Sequence, residues 1–190
     1  MRRVAALLCV LFLFAGCSEP PQKEIDRAQG AVDTARAAGA EQYASAEFAE
    51  ATTALQQAHD AVTQRDYRLA LSRALDASQR AQESARLAAD GHARARSDAE
   101  IALHGMETAL QQLETKLKVA TAARTPDPEL KSARQVLING QSTLQKARSV
   151  LAAGKYLEAG AVVKEAVGEI NGQMRAIDDA ARARTSKRRR

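Results

Sequence analysis

The side chains able to do chemistry are few and widely scattered along this chain. There are two cysteines, Cys9 and Cys17, and three histidines, His59, His92 and His104. A zinc-protease helix needs two histidines four residues apart with a glutamate beside the first. His92 and His104 are instead twelve apart, which on one helix points them about 120° from each other. Asp127 and Glu129 lie in the Pro-rich connection Thr125-Pro126-Asp127-Pro128, where they suit a helix start better than a calcium loop, which requires a denser oxygen set. Asp178 and Asp179 are adjacent and therefore diverge on a helix. No phosphate-cradling glycine loop, nucleophile elbow or paired-acid site occurs. The expectation is a protein that is not an enzyme and holds no metal or diffusible cofactor. Two features remain: the thiol of Cys17, and a basic cluster made of Arg182, Arg184, Lys187, Arg188, Arg189 and Arg190.

Cys17 stands at the end of a recognisable segment. Arg2 and Arg3 precede an apolar run from Val4 to Phe14, which ends in Ala15-Gly16-Cys17. A basic start, a short apolar core and a small-residue exit make up the secretory signal layout. The run is too short for a membrane span of roughly 20 residues. Leu13-Phe14-Ala15-Gly16-Cys17 resembles the bacterial lipobox, with Phe14 departing mildly from the usual leucine. That resemblance implies that residues 1–16 are removed and that Cys17 becomes an N-terminus carrying a diacylglyceryl group and an N-acyl chain. Cys9 would leave with the leader, so no disulfide can form within one mature chain. More than one acyl chain makes membrane attachment effectively stable. By similarity to enteric lipoproteins, Ser18 after the cysteine, rather than aspartate, implies the outer membrane. Residues 17–23 are then the lipidated N-terminus and a short linker.

The body behind this anchor reads as helix throughout. Of 190 residues, 42 are alanine, aromatics are 3% and tryptophan is absent. Alanine is the strongest helix former, and so few aromatic residues leave little to fill the core of a sandwich or an α/β enzyme. Apolar residues recur at spacings of three and four, the bundle and coiled-coil pattern. They mark a helix from about Pro21 to Ala38, stopped by Gly39, and a second from the candidate N-cap Ser45. The second seam is Phe48, Ala51, Leu55, Ala58 and Val62. A turn at Arg65-Asp66 leads to a third seam of Tyr67, Ala70, Ala74, Ala77, Ala81 and Ala88, with Ser84 in phase. No breaker follows before Thr125, so the third helix is expected to run on through Ala99, Leu103, Met106, Leu110, Leu113, Leu117 and Ala120, roughly 85–90 Å in all. Its phase slips between Ala88 and Ala99, as if the helix passed from one set of partners to another. Gly91 and Gly105 fall inside it at a cost of about 1 kcal/mol each relative to alanine. A fourth helix carries Leu130, Ala133, Leu137, Gly140, Leu144, Ala147 and Leu151. After Gly154-Lys155 a fifth carries Tyr156, Ala159, Val163, Ala166, Ile170 and Ile177, with Val162, Val167 and Met174 as extra apolar positions.

The expected fold is all-α: an elongated antiparallel helical bundle or coiled coil of two three-helix units, 24–90 and 91–184, sharing one long central helix. Residues 185–190 form a basic tail. A shift of 89 places Leu55, Gln56, Ala58, Tyr67 and Ala70 on Leu144, Gln145, Ala147, Tyr156 and Ala159, five identities over the eighteen positions 54–71. Both a duplication and shared heptad grammar account for this.

Glu24-Ile25-Asp26-Arg27-Ala28, the run from Ala35 through Gly39-Ala40 to Tyr43-Ala44-Ser45, Phe48-Ala49-Glu50-Ala51, Leu55, Ala58 and Arg65-Asp66-Tyr67 with Ala70 together resemble the domain of unknown function 4398 of bacterial envelope lipoproteins. The likeness covers residues 24–89. It departs at Ser45, where the family often has proline, and at Arg65, where it often has glycine. It implies an α-helical periplasmic module and no known activity.

The charge agrees with such a location. The formal net charge of +5 comes from the two ends. With Arg2, Arg3 and the six basic residues from Arg182 onward set aside, acidic residues outnumber basic ones, so a nucleic-acid partner is not expected. The terminal cluster suits either a solvated helix end, where positive charge complements the helix dipole, or contact with anionic cell wall, lipid or an envelope protein. The functional expectation is a lipid-anchored periplasmic lipoprotein acting as a helical spacer or scaffold, attached to the membrane and able to engage peptidoglycan, an envelope protein or further copies of itself. The alternative is an accessory adaptor that binds a protein of an envelope assembly or transport machine.

Overall fold

A computed structural model describes residues 19–123 and 127–188. Every regular element among them is an α-helix: α1 (Gln22–Ala37), α2 (Ala40–Tyr43), α3 (Ser45–Thr63), α4 (Tyr67–Ala122), α5 (Asp127–Ala152) and α6 (Tyr156–Arg188). The chain is all-α, and it divides into two compact units, Met1–Gly91 and His92–Arg190. The division falls inside α4, which contributes to both.

The first unit is built on small residues. Its core joins Ile25, Ala28, Val32 and Ala35 of α1 to Phe48, Ala51, Leu55 and Ala58 of α3 and to Ala74, Ala77, Ala81 and Ala88 of α4. Most of these alanines have no exposed surface, so the three helices meet almost backbone to backbone, towards the short end of the usual 8–10 Å axial separation. Ser84 takes a seam position without polar cost, because its hydroxyl donates to the Ala81 carbonyl at 2.9 Å. On the surface, Arg80 of α4 is held by Asp76 at 2.9 Å and reaches Glu50 of α3.

The end of α1 follows from Gly39, whose φ of 83° is the left-handed conformation that closes helices. Its N–H returns to the Arg36 carbonyl at 2.9 Å. The next segment differs from the sequence expectation. Residues 40–43 form a helical turn of their own, Ala40 and Ala44 are buried, and the chain bends at Ala44 with φ −146°. Ala44 therefore occupies the cap position of α3, no side chain caps that helix, and Ser45 is its first helical residue. Burial of Ala40 and Ala44 against the core sets the bend one residue earlier than the serine's capping preference would.

The turn into α4 is held at both sides. Asp66 accepts a hydrogen bond from the Leu69 N–H at 2.9 Å, an N-cap of the usual kind. Ahead of it Arg65 has φ 61°, a left-handed position where a side chain costs roughly 1–2 kcal/mol. The second unit repeats this turn under the shift of 89. Arg65 falls on Gly154, which has φ 77°. The Arg65 and Asp66 N–H groups return to Val62 and Ala61 at 2.9 Å each, as those of Gly154 and Lys155 return to Leu151 and Val150 at 2.9 and 3.2 Å. The two hairpins share both sequence and hydrogen-bond geometry. Replacing Arg65 by Gly is expected to stabilise the protein by about 1 kcal/mol in urea denaturation, and Gly154→Ala to destabilise it by a similar amount. No gain from Arg65→Gly would show that the arginine is not strained.

The second unit has larger side chains. Leu103, Met106, Leu110, Leu113 and Leu117 of α4 pack with Leu130, Ala133, Val136 and Leu144 of α5 and with Val163, Ile170 and Ile177 of α6. Gly140 of α5 leaves the space into which Leu110 and Ile170 project; a Cβ there would stand 2.7 Å from the Leu110 Cδ2 and 3.5 Å from the Ile170 Cδ1. Polar links also tie the helices at the surface. Arg148 donates to Glu107 at 2.6 Å, Lys116 pairs with Asp178, and Ser132 donates to Gln173 at 3.0 Å. The Arg148 hydrogen bond, aided by its charge and by His104, holds the Glu107 carboxyl below the usual carboxylate range.

Candidate functional site

Cys17 and the leader residues 1–16 lie outside the described residues. The description begins at Glu19-Pro20-Pro21, immediately ahead of α1. Pro20 and Pro21 supply the carbonyls that accept from the Gln22 and Ile25 N–H groups at 2.7 and 3.1 Å, and Glu24 in the first turn matches the positive helix end. Ordered helix thus starts five residues after Cys17. No helix among the described residues is long and apolar enough to cross a membrane.

The basic cluster is partly used within its own unit. Arg184 donates to the Ala123 carbonyl at 2.8 Å, fastening α6 to the end of α4. Arg182 stands 4.0 Å from Asp179. Residues 185–188 continue α6, so the helix takes in the start of the segment read from sequence as a separate tail. The side chains of Lys187 and Arg188, and all of Arg189 and Arg190, lie outside the described part.

The histidines are dispersed. His59 is exposed, His104 stands 3.6 Å from Glu107 with 84% of its side chain exposed, and His92 packs edge-on against Tyr156 with ring centroids 5.0 Å apart. Among the described residues no three metal-ligating side chains come together.

A feature that the sequence reading missed lies between α4 and α6 of the second unit. It is an open groove of about 820 Å³ with mainly apolar walls. The α4 wall includes Ala95, Asp98, Ala102 and Gly105, with Ala99 and Ile101 between them, and the α6 wall includes Leu157, Gly160, Lys164 and Val167, with Tyr156 and Val163 beside them. The four first named on each wall follow the three-four-three spacing of a helix seam. Ile101 and Leu157 stand at the groove with 68% and 47% of their surface exposed. A Cβ added at Gly105 or Gly160 would meet nothing within 4 Å. Val162, Val167 and Met174, the extra apolar positions of α6, pack partly buried against the core, and Val167 also borders the groove. The available signal was the pair of matching stripes, but its meaning depends on α4 and α6 lying side by side, which one strand of sequence does not reveal.

Comparison with protein-family models, with curated proteins and with solved structures returned no match.

Proposed function

We propose that this protein is a lipid-anchored lipoprotein of the bacterial cell envelope, held at the periplasmic face of the outer membrane and acting as a helical spacer or scaffold. The observation that carries the reading is the position of Cys17. It follows a basic-then-apolar leader, would be the sole thiol of the mature chain, and precedes the first helix by a handful of residues. Lipidation accounts for a lone cysteine at that place, where disulfide chemistry within the chain has no second thiol. The helical body supports the role. Its two units have separate cores, and α4 contributes to both. The similarity to envelope lipoproteins points the same way, as does Ser18 for the outer membrane.

The test is to exchange residues 1–17 for an ordinary cleaved secretory leader without a cysteine. The native protein is expected to sediment with membranes, and the exchanged form to appear in the soluble periplasmic fraction in at least tenfold excess over its membrane-bound part, the loss expected when more than one acyl chain is removed. Undiminished sedimentation of the exchanged form would overturn the anchor.

A further inference from the structure

We propose that the groove between α4 and α6 is a self-association surface, covered by the same groove of a second copy of this chain. The two copies run parallel, and Asp98 of each faces Lys164 of the other.

Small residues, Ala95, Ala99, Ala102 and Gly105 of α4 and Gly160 of α6, line the groove, and two large apolar residues, Ile101 and Leu157, stand exposed at it. An exposed apolar seam is what a helix normally turns towards a partner. The charges then select the occupant. Asp98 and Lys164 are exposed, face the groove from opposite walls, and neither has an ion-pair partner among the described residues. The α4 wall thus carries one acid and the α6 wall one base. A two-fold interface must be self-complementary, each patch meeting its own image. This groove meets that condition without any change of residue.

The same charges fix the direction. Contacts between α4 and α6 rise together along the chain, from His92 with Tyr156 to Lys116 with Asp178, so the two helices are parallel. Asp98 lies six residues beyond His92 and Lys164 eight beyond Tyr156, which puts them within about one helical turn of the same level. A two-fold axis along the helices sets α4 of one copy over α6 of the other and brings Asp98 opposite Lys164 twice. An axis across the helices would set α4 over α4, opposing Asp98 to Asp98 and Lys164 to Lys164. The parallel pairing also lets both copies leave one membrane surface.

The face is small. Stripes of about 15 Å on two helices, each roughly 10 Å wide, cover about 300 Å² per copy. The two copies together bury about 600 Å², about half of the total of roughly 1,200 Å² at the lower end for stable complexes. Association in solution is therefore weak, in the range of hundreds of micromolar, and rises where copies are concentrated on a surface.

The test is sedimentation equilibrium of the chain lacking residues 1–17, from about 20 μM to about 1 mM, a range that brackets the weak constant expected for such an area. The average mass is expected to climb from monomer towards dimer. Asp98→Lys and Lys164→Asp should each raise the dissociation constant about three- to tenfold, and the double reversal should return it to within about threefold of the original. Gly105→Leu fills the groove where nothing inside the chain stands in the way, so it should fold normally, as circular dichroism will show, and raise the constant at least tenfold. Direction is read by mixing Asp98→Cys with Lys164→Cys chains, whose positions stand within about one helical turn of the same level: mixed disulfides should exceed those of either chain alone. A mass that stays monomeric to about 1 mM would overturn the proposal. So would single reversals that the double does not repair, or crosslinks as strong between like chains as between unlike ones.

Discussion

Leu113→Ala is expected to lower the stability of the second unit by about 2–5 kcal/mol. Leu113 has no exposed surface and lies in the leucine-rich core where α4, α5 and α6 meet. Removing three carbons there loses their transfer free energy and leaves a cavity that rigid helices refill only in part. A domain of this size has a total stability of about 5–15 kcal/mol, so the loss is a large share of it. Urea unfolding followed by circular dichroism should show the transition of the second unit move to lower denaturant. Because the first unit has a separate core, its transition should move much less. A change below about 1 kcal/mol would mean that Leu113 is not enclosed as described.

The second large effect has the opposite chemistry. Ala77→Leu adds three carbons to a position of α4 with no exposed surface, in a core where Ala28, Ala51, Ala58, Ala74 and Ala81 are equally enclosed. Helices in such close contact can admit the larger side chain only by separating. Overpacking costs about 1–3 kcal/mol in an ordinary core, and a seam this thin should give the upper end. Ala89→Leu, on the exposed side of the same helix, is the control and should be within about 0.5 kcal/mol of the parent. If both substitutions are neutral, the first unit does not have its alanine seam. The two predictions together distinguish the units: one loses stability when its core is made smaller, the other when its core is made larger.

Much of this was legible in sequence because a helix seam is a one-dimensional pattern. From Ala70 to Ala88 and from Ala99 to Ala120, every seam position read from spacing is buried, including Ser84. The continuity of α4 through Gly91 and Gly105 also followed, since neither is accompanied by a turn signal. What was missed shares one cause, the neighbour across the interface. Val62 and Leu137, seam positions by spacing, pack partly buried against the cores, and Ala61 and Val136 beside them are buried too, because the contact stripe in a three-helix unit is wider than a two-helix seam. Gly91 was read as a helix cost alone. A Cβ there would stand 3.0 Å from the Tyr43 carbonyl oxygen, so the glycine lets α4 pass close beside α2, a helix that the sequence reading did not include. The groove was overlooked for a related reason. Asp98 and Lys164 look like ordinary solvated positions until α4 and α6 are seen to stand together.

The account as a whole rests on Cys17, and the most direct measurement is the intact mass of the protein purified from membranes, with sequencing of its N-terminal fragment. The account predicts a chain that begins at Cys17 and carries the added mass of a diacylglyceryl group and an N-acyl chain, while Cys17→Ser retains residues 1–16 and gains no lipid. An unmodified Cys17 in the membrane-derived protein, or a chain cleaved elsewhere, would contradict it.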